Sequence, residues 1–138
     1  MACAREVLLK LTPGDGATLI CLQGELGAGK TVFTRGMARA LGVNEHITSP
    51  TFVLEKIYQL GKGETFPDTF ARLVHIDAYR LEGGKELTPL LFDELCQDSK
   101  NLILLEWPEN VKDALPEGAL LIKIEHTKEG GRKILLAI

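Results

Sequence analysis

The sequence has few cysteines, and their spacing builds no metal or redox site. Cys3, Cys21 and Cys96 are the only three, and no pair shows C-x-x-C spacing. Cys21 and Cys96 lie in apolar stretches, so we expect both to be packed thiols rather than metal ligands or disulfide partners. A zinc site held by paired cysteines and a disulfide framework are therefore not indicated.

The sequence also lacks a long hydrophobic run and an excess of basic residues. No stretch approaches the roughly 20 apolar residues that span a membrane, and no signal-peptide-like run is found near the N-terminus, so we expect no membrane contact and a cytoplasmic location. The net charge is −3, which provides no general electrostatic attraction for nucleic acid. Any RNA contact must then be local or made through a partner protein. The 138 residues have an ordinary soluble composition and predict a single domain over 1–138.

One segment carries a specific chemical pattern. Residues 24–31, GELGAGKT, fit G-x-x-x-x-G-K-[ST], with an apolar β-former stretch over 18–22 before them. After them, Phe33, Met37 and Leu41 recur at helical spacing. Strand, glycine-rich loop and helix are the context in which backbone N–H groups and a helix N-terminus surround phosphate oxygens. The pattern predicts a nucleotide-binding loop.

The nucleotide-contacting residues are expected within this loop and the start of the helix. They are Glu25, Leu26, Gly27, Ala28, Gly29, Lys30, Thr31 and Val32. Lys30 would reach the β- and γ-phosphates, and the Thr31 hydroxyl would bind Mg²⁺. The Asn-Lys-x-Asp element with which guanine-specific enzymes read their base is absent from the sequence, which favours ATP over GTP.

Hydrolysis or phosphoryl transfer also needs an acid near the phosphates. Glu106 follows the apolar run 102–105, so we expect it at the carboxyl end of a buried strand, where it could hold Mg²⁺ or orient a nucleophile. Asp77 shares one face of another strand with His75 and Tyr79. That polar row is interpreted as placing Asp77 near the γ-phosphate, with a hydrogen-bonded row or a transition-metal site as alternatives.

Two further residues have open roles. Thr51 follows Ser49-Pro50 in a loop, where it could contact the γ-phosphate or Mg²⁺ as part of a switch, or simply begin a strand. Trp107 is the only tryptophan and could be a core side chain, a lid over the nucleotide or a partner contact.

The periodicities predict an α/β, single-domain P-loop NTPase-like fold with a mixed central sheet flanked by helices. Strands are expected over 52–60 and 70–77, paired as an antiparallel hairpin, then over 102–105, 120–124 and 134–138. Thr88 as N-cap and Pro89 at the first helical position predict a helix that buries Leu91 and Leu95, with Phe92 as a further candidate. The strand before the phosphate loop is expected near the centre of the sheet.

Four segments in this order resemble the TsaE (YjeE) family of bacterial ATPases. They are residues 24–31 (GELGAGKT), 49–52 (SPTF), 75–80 (HIDAYR) and 105–107 (LEW). The resemblance covers nearly the whole chain and implies a small P-loop fold acting in the threonylcarbamoyl modification of an adenosine in tRNA.

The resemblance also implies roles for individual residues and partners. It implies a magnesium site at Thr31 and Glu106, a catalytic acid at Asp77 and a switch-like threonine at Thr51. It further implies weak ATPase activity stimulated by a complex of the TsaB and TsaD proteins, with ATP turnover resetting that complex and tRNA contacted indirectly. A small-molecule P-loop kinase and a nucleotide-sensing module without useful hydrolysis remain the alternative functions.

Overall fold

The computed structural model describes Val7, Leu11 and residues 14–24, 30–43, 55–60, 70–126 and 132–137. Six strands within this part of the chain form one mixed sheet in the order β2-β3-β4-β1-β5-β6. Their bounds are β1 Thr18–Gln23, β2 Glu55–Gln59, β3 Arg72–Asp77, β4 Asn101–Glu106, β5 Leu120–His126 and β6 Arg132–Ala137. The expected α/β fold with a mixed sheet, and the central place of β1, are confirmed.

The inner strands are parallel and the two edges are antiparallel. β1 pairs with β4 and β5 in the parallel sense, and β3 pairs with β4 in the same sense. β2 and β6 run antiparallel to β3 and β5, so the predicted hairpin of the second and third strands is present. Because the four parallel strands point the same way, their carboxyl ends meet at one edge of the sheet, where ligands bind in open α/β folds.

Two short α-helices and two 3₁₀ helices are described beside the sheet. Helix α1 spans Lys30–Ala40 and α2 spans Phe92–Cys96, and the 3₁₀ helices span Gly84–Leu90 and Pro108–Ala114. Helix α1 begins directly after the glycine-rich segment, buries Phe33 and Met37 and exposes Arg35, as its apolar spacing predicts. None of the helices in these ranges has the length and apolarity needed to cross a bilayer.

Apolar side chains cover both faces of the sheet. All six residues of β4 are buried, as the apolar run 102–105 indicates. Leu102 and Leu104 pack on the α1 side, and Ile103 and Leu105 on the opposite side with Phe92. Cys21 is buried and Cys96 half-buried, and both are free thiols, as expected. Burial raises the pKa of the Cys21 thiol to about 12 and that of Cys96 to about 11.

The helix predicted to open at Thr88 and Pro89 is wrong. Both residues lie inside the first 3₁₀ helix, and α2 begins only at Phe92. Between them Leu91 adopts a left-handed conformation, with φ 58°, and its side chain is 60% exposed. A proline without a donor N–H is tolerated in a 3₁₀ turn as well as in a first α-turn, so the Thr-Pro signal did not distinguish the two. Leu95 is half-buried.

Several predicted segments are shifted or lie partly outside the described residues. The third strand begins at Arg72 rather than at residue 70. The last strand begins at Arg132 rather than at residue 134 and is described to Ala137, with residue 138 outside the described part. The second strand is described from Glu55, and residues 51–54 lie outside the described part.

Candidate functional site

The carboxyl ends of β1, β3 and β4 are joined by backbone hydrogen bonds at one point. The N–H of Ala78 donates to the carbonyl of Glu106 at 3.0 Å, and the N–H of Trp107 donates to the carbonyl of Leu22 at 3.3 Å. In the ladder, Asp77 and Leu22 are the register partners of Glu106 on either side. The two acids predicted from sequence therefore end neighbouring strands at the same level.

Glu106 is a nearly inaccessible carboxylate. It alternates with Leu102 and Leu104 along β4, so its side chain shares the α1 side of the sheet, and the residue as a whole is 4% exposed. One of its oxygens, Oε2, lies 2.6 Å from Nε2 of His75, which is itself 1% exposed. This contact was not predicted, because it depends on the pairing of β3 with β4 and joins residues 31 positions apart.

Lys30 lies at the first position of α1 and is 5% exposed. Its Nζ lies 3.8 Å from the ring centroid of Trp107 and has no hydrogen-bond partner among the described residues. Burial lowers the pKa of the Lys30 ammonium, and attraction to the carboxylates of Glu106, Asp77 and Glu109 offsets this only in part. A buried cation whose N–H donors are unused is suited to accept an anion.

Asp77 ends β3 and is half-buried. Its Oδ1 accepts a hydrogen bond of 3.0 Å from the backbone N–H of Tyr79, which fixes the side chain over the following turn. Burial raises the pKa of the Asp77 carboxyl, the Tyr79 N–H lowers it, and the neighbouring Glu106 raises it further. Burial thus disfavours the charged form of both Asp77 and Lys30 at this site.

The predicted row of His75, Asp77 and Tyr79 is only partly correct. β3 ends at Asp77, and Tyr79 lies beyond the strand in a turn, with 47% of its side chain exposed. The centroid of the Tyr79 ring instead lies 5.1 Å from the centroid of the Trp107 ring, and the two ring planes meet at 54°. Among the described residues, no group of three His, Cys, Asp or Glu side chains could hold a metal ion, so the transition-metal alternative is not formed there.

Trp107 links this aromatic pair to the lysine. The residue adopts a left-handed conformation, φ 60° and ψ 52°, between β4 and the second 3₁₀ helix. Such a conformation costs an ordinary residue about 1–2 kcal/mol. Here it coincides with the placement of the indole against Lys30. Of the three roles left open for Trp107, packing against the core is observed in part, because the half-buried residue packs against a core cluster, and the lid and partner roles stay predictions.

The other predicted site residues are Val32, which is described, and several that lie outside the described part. Val32 lies on α1 with 44% of its side chain exposed. Thr31 lies in α1, but its side chain is outside the described part, as are residues 25–29 and Thr51. The described part of the site thus consists of Lys30, His75, Asp77, Glu106 and Trp107.

The charged groups of this site are of the kinds that bind Mg²⁺ together with a phosphate. Mg²⁺ prefers oxygen ligands and is usually held by one or two carboxylates together with phosphate oxygens and water. Glu106 and Asp77 would offer carboxylates to such an ion, and Nζ of Lys30, which has no hydrogen-bond partner among the described residues, would offer its charge to a phosphate oxygen.

Comparison with known proteins identifies the family of the chain. The sequence profile described as "Threonylcarbamoyl adenosine biosynthesis protein TsaE" matches residues 1–134. The chain belongs to the TsaE family. A TsaE protein of Streptomyces coelicolor, named as a tRNA threonylcarbamoyladenosine biosynthesis protein, is 42% identical over 123 residues, covering 88% of this chain and 75% of the relative. The identically named TsaE of Bacillus subtilis is 36% identical over 134 residues, covering 94% of this chain and 76% of that protein.

The same family likeness extends to a solved structure. The crystal structure of Bacillus subtilis YdiB superposes with a TM-score of 0.74 at 28% identity, covering 99% of this chain and 77% of that chain. The resemblance to the TsaE family found in the four sequence segments is therefore confirmed over nearly the whole chain.

Proposed function

We propose that this TsaE-family chain is a single domain over 1–138 that binds ATP with Mg²⁺, hydrolyses it weakly and serves the synthesis of threonylcarbamoyladenosine in tRNA. The observation that carries the proposal is the meeting of Lys30, Asp77 and Glu106 at the carboxyl ends of parallel strands. Lys30 there has a buried Nζ with no hydrogen-bond partner among the described residues. An isolated buried ammonium is costly, and a phosphate oxygen would supply the missing partner.

Each residue has a defined part in this proposal. The loop from Glu25 to Gly29 and the start of α1, to Val32, surround the phosphates, and Lys30 binds the β- and γ-phosphate oxygens. Thr31 and Glu106 hold the metal ion, which when bound neutralises phosphate charge. Asp77 and Thr51 act beside the γ-phosphate, Asp77 by orienting the attacking water and Thr51 as a switch residue.

The chain would act as a subunit rather than alone. We assign it to a complex with TsaB and TsaD proteins, in which ATP turnover resets the complex between rounds. The net charge of −3 suits protein partners better than direct tRNA binding, so tRNA would be contacted through the complex, in the cytoplasm.

The experiment is ATP turnover measured with and without purified TsaB and TsaD, together with calorimetry of variants. Lys30→Ala and Thr31→Ala should abolish productive ATP–Mg²⁺ binding, because they remove a phosphate counter-charge and a metal ligand. Glu106→Ala and Asp77→Ala should keep much of the nucleotide affinity and lower turnover. Undiminished ATP affinity in both of the first two variants would show that the site is misassigned.

Other outcomes separate the alternative functions. A turnover rate that the partners leave unchanged, with no co-elution, would remove the subunit role. A metabolite that becomes phosphorylated while ATP is consumed would instead identify a small-molecule kinase. ATP that remains bound without ADP release would identify a nucleotide-sensing module.

A further inference from the structure

The contact between His75 and Glu106 is the most completely buried polar pair at the site. Nε2 and Oε2 are 2.6 Å apart, and the two side chains are 1% and 5% exposed. The pair comes from adjacent parallel strands, with the histidine two residues before the end of β3 and the glutamate at the end of β4. Backbone pairing on both strands therefore limits how far either side chain can move.

The hydrogen bond has a direction that the surroundings determine. His75 Nδ1 is buried and has no hydrogen-bond partner in the described part of the chain. A proton on Nδ1 would be a buried donor without an acceptor, whereas a bare nitrogen leaves only an unused lone pair. The arrangement therefore favours a ring that carries a proton on Nε2 and donates it to Oε2 of Glu106.

This donor is the means by which the fold orients the acid. Lys30 Nζ makes no hydrogen bond among the described residues, so it does not hold the Glu106 carboxylate in place. A hydrogen bond to Oε2 fixes the rotation of the carboxylate while leaving the lone pairs of its other oxygen available. Partners that orient a metal-binding carboxylate in this way commonly change metal affinity by about 10- to 100-fold when they are removed.

We infer that His75 is a positioning residue that holds the Glu106 carboxylate in the orientation required for Mg²⁺. The inference rests on the proposed function, since it assigns the partner of the proposed metal ligand. His75 itself contacts neither the metal nor the nucleotide. Its contribution is to reduce the rotational freedom of the Glu106 carboxylate before the metal ion binds.

The test compares two substitutions of different donor chemistry. His75→Leu removes the Nε2 donor at similar volume, whereas the amide nitrogen of His75→Gln can occupy a place close to that of Nε2. Mn²⁺ binding is followed by electron paramagnetic resonance at saturating ADP, and ADP binding without metal by calorimetry. We expect Mn²⁺ affinity to fall at least about tenfold in the Leu variant and to return to within about threefold of the parent in the Gln variant.

Metal-free ADP affinity is the matched control, and it should be unchanged in both variants. Equal losses in the Leu and Gln variants would show that His75 only packs, and undiminished Mn²⁺ affinity in the Leu variant would overturn the positioning role. A parent protein that binds no ADP at all would instead refute the proposed function.

A second measurement covers the case in which the Leu variant does not fold. The chain has two other histidines, His46 and His126. The double variant His46→Gln, His126→Gln leaves His75 as the only imidazole, so its ¹⁵N–¹H long-range spectrum reports this ring alone. We expect a proton on Nε2, and an Nε2 without a proton would overturn the inferred direction of the hydrogen bond.

Discussion

The Lys30 ammonium is a charge that the fold buries with little polar compensation. Its Nζ contacts the face of Trp107 at 3.8 Å and makes no hydrogen bond within the described residues. A cation on an aromatic face gains about 0.5–2 kcal/mol, less than desolvation of an ammonium costs. The lowered pKa of Lys30 leads to the same conclusion, because it means that the protonated form is less favourable in the folded state than in the unfolded state. Nucleotide-free protein is thus expected to carry a local cost at this residue.

Lys30→Met should therefore not reduce the thermal stability of the nucleotide-free protein at pH 7, and we expect its melting temperature to rise. A folded pKa below the unfolded one means that protonation at neutral pH opposes folding, and Met removes the charge while keeping the stem. The same variant should lose roughly 10- to 150-fold in ADP affinity, as a charged hydrogen bond is lost. Scanning calorimetry and titration calorimetry measure the two effects, with the exposed Lys85→Met as control. A lower melting temperature than the parent's would contradict this view.

The second prediction concerns an acid, Asp77, and the dependence of stability on pH. Burial raises its pKa, so the ionised form is disfavoured in the folded state, and the cost develops as the pH rises from the unfolded pKa through the folded one. Asp77→Asn keeps an oxygen for the Tyr79 N–H and removes that cost. The variant should be more stable than the parent at pH 7 and equal to it near pH 3, in thermal unfolding followed by circular dichroism. The exposed Asp93→Asn serves as control, and a gain that persists unchanged at pH 3 would be inconsistent with titration of Asp77.

At the scale of elements, the two 3₁₀ helices are packed without room for a side chain between them. A Cβ built on Gly84 would lie 2.5 Å from the Cβ of Ala114. The backbone N–H of Gly84 donates a hydrogen bond of 2.9 Å to Oδ1 of Asp113. Gly83, the preceding residue, has extended backbone and open space around its Cβ position. The contact therefore depends on one glycine and not on its neighbour.

Gly84→Ala should destabilise the protein by about 1–3 kcal/mol, because two elements must separate to admit one methyl group. Gly83→Ala is the matched control and should change the free energy of unfolding by less than about 0.5 kcal/mol. Urea unfolding followed by fluorescence measures both. Equal effects of the two substitutions would show that the two 3₁₀ helices can separate to admit the methyl group at little cost in stability.

Elements with strong periodic patterns were predictable, and those set by tertiary contacts were not. The apolar run 102–105 ending in Glu106 identified a buried strand, because burial on both faces leaves little room for polar residues. The Thr88-Pro89 signal failed, since Leu91 takes a left-handed turn that splits the segment. The partner of Glu106 could not be predicted either, since His75 reaches it only through the β3–β4 register. Lys30 was identified from its motif, but its contact with Trp107 was not.

For the whole molecule, nucleotide binding should be coupled to folding. A ligand that binds only the folded state at 100 times its dissociation constant adds about 2.7 kcal/mol, which for a chain of this size raises the melting temperature by roughly 10 °C. We expect ADP with Mg²⁺ to produce such a shift, growing with the logarithm of ligand concentration. The Lys30→Met protein at the same ADP concentration is the control and should shift far less. No shift in the parent at saturating ligand would speak against a nucleotide site.

The contact of the single indole with the Lys30 ammonium has a practical consequence for the intact chain. Because the sequence has no other tryptophan, ultraviolet emission excited at the red edge comes from Trp107 alone. Any movement of the lysine away from that ring changes the polarity and charge the chromophore senses. The protein thus carries a built-in optical reporter of the surroundings of Lys30, which can be followed in stopped flow without attaching a dye.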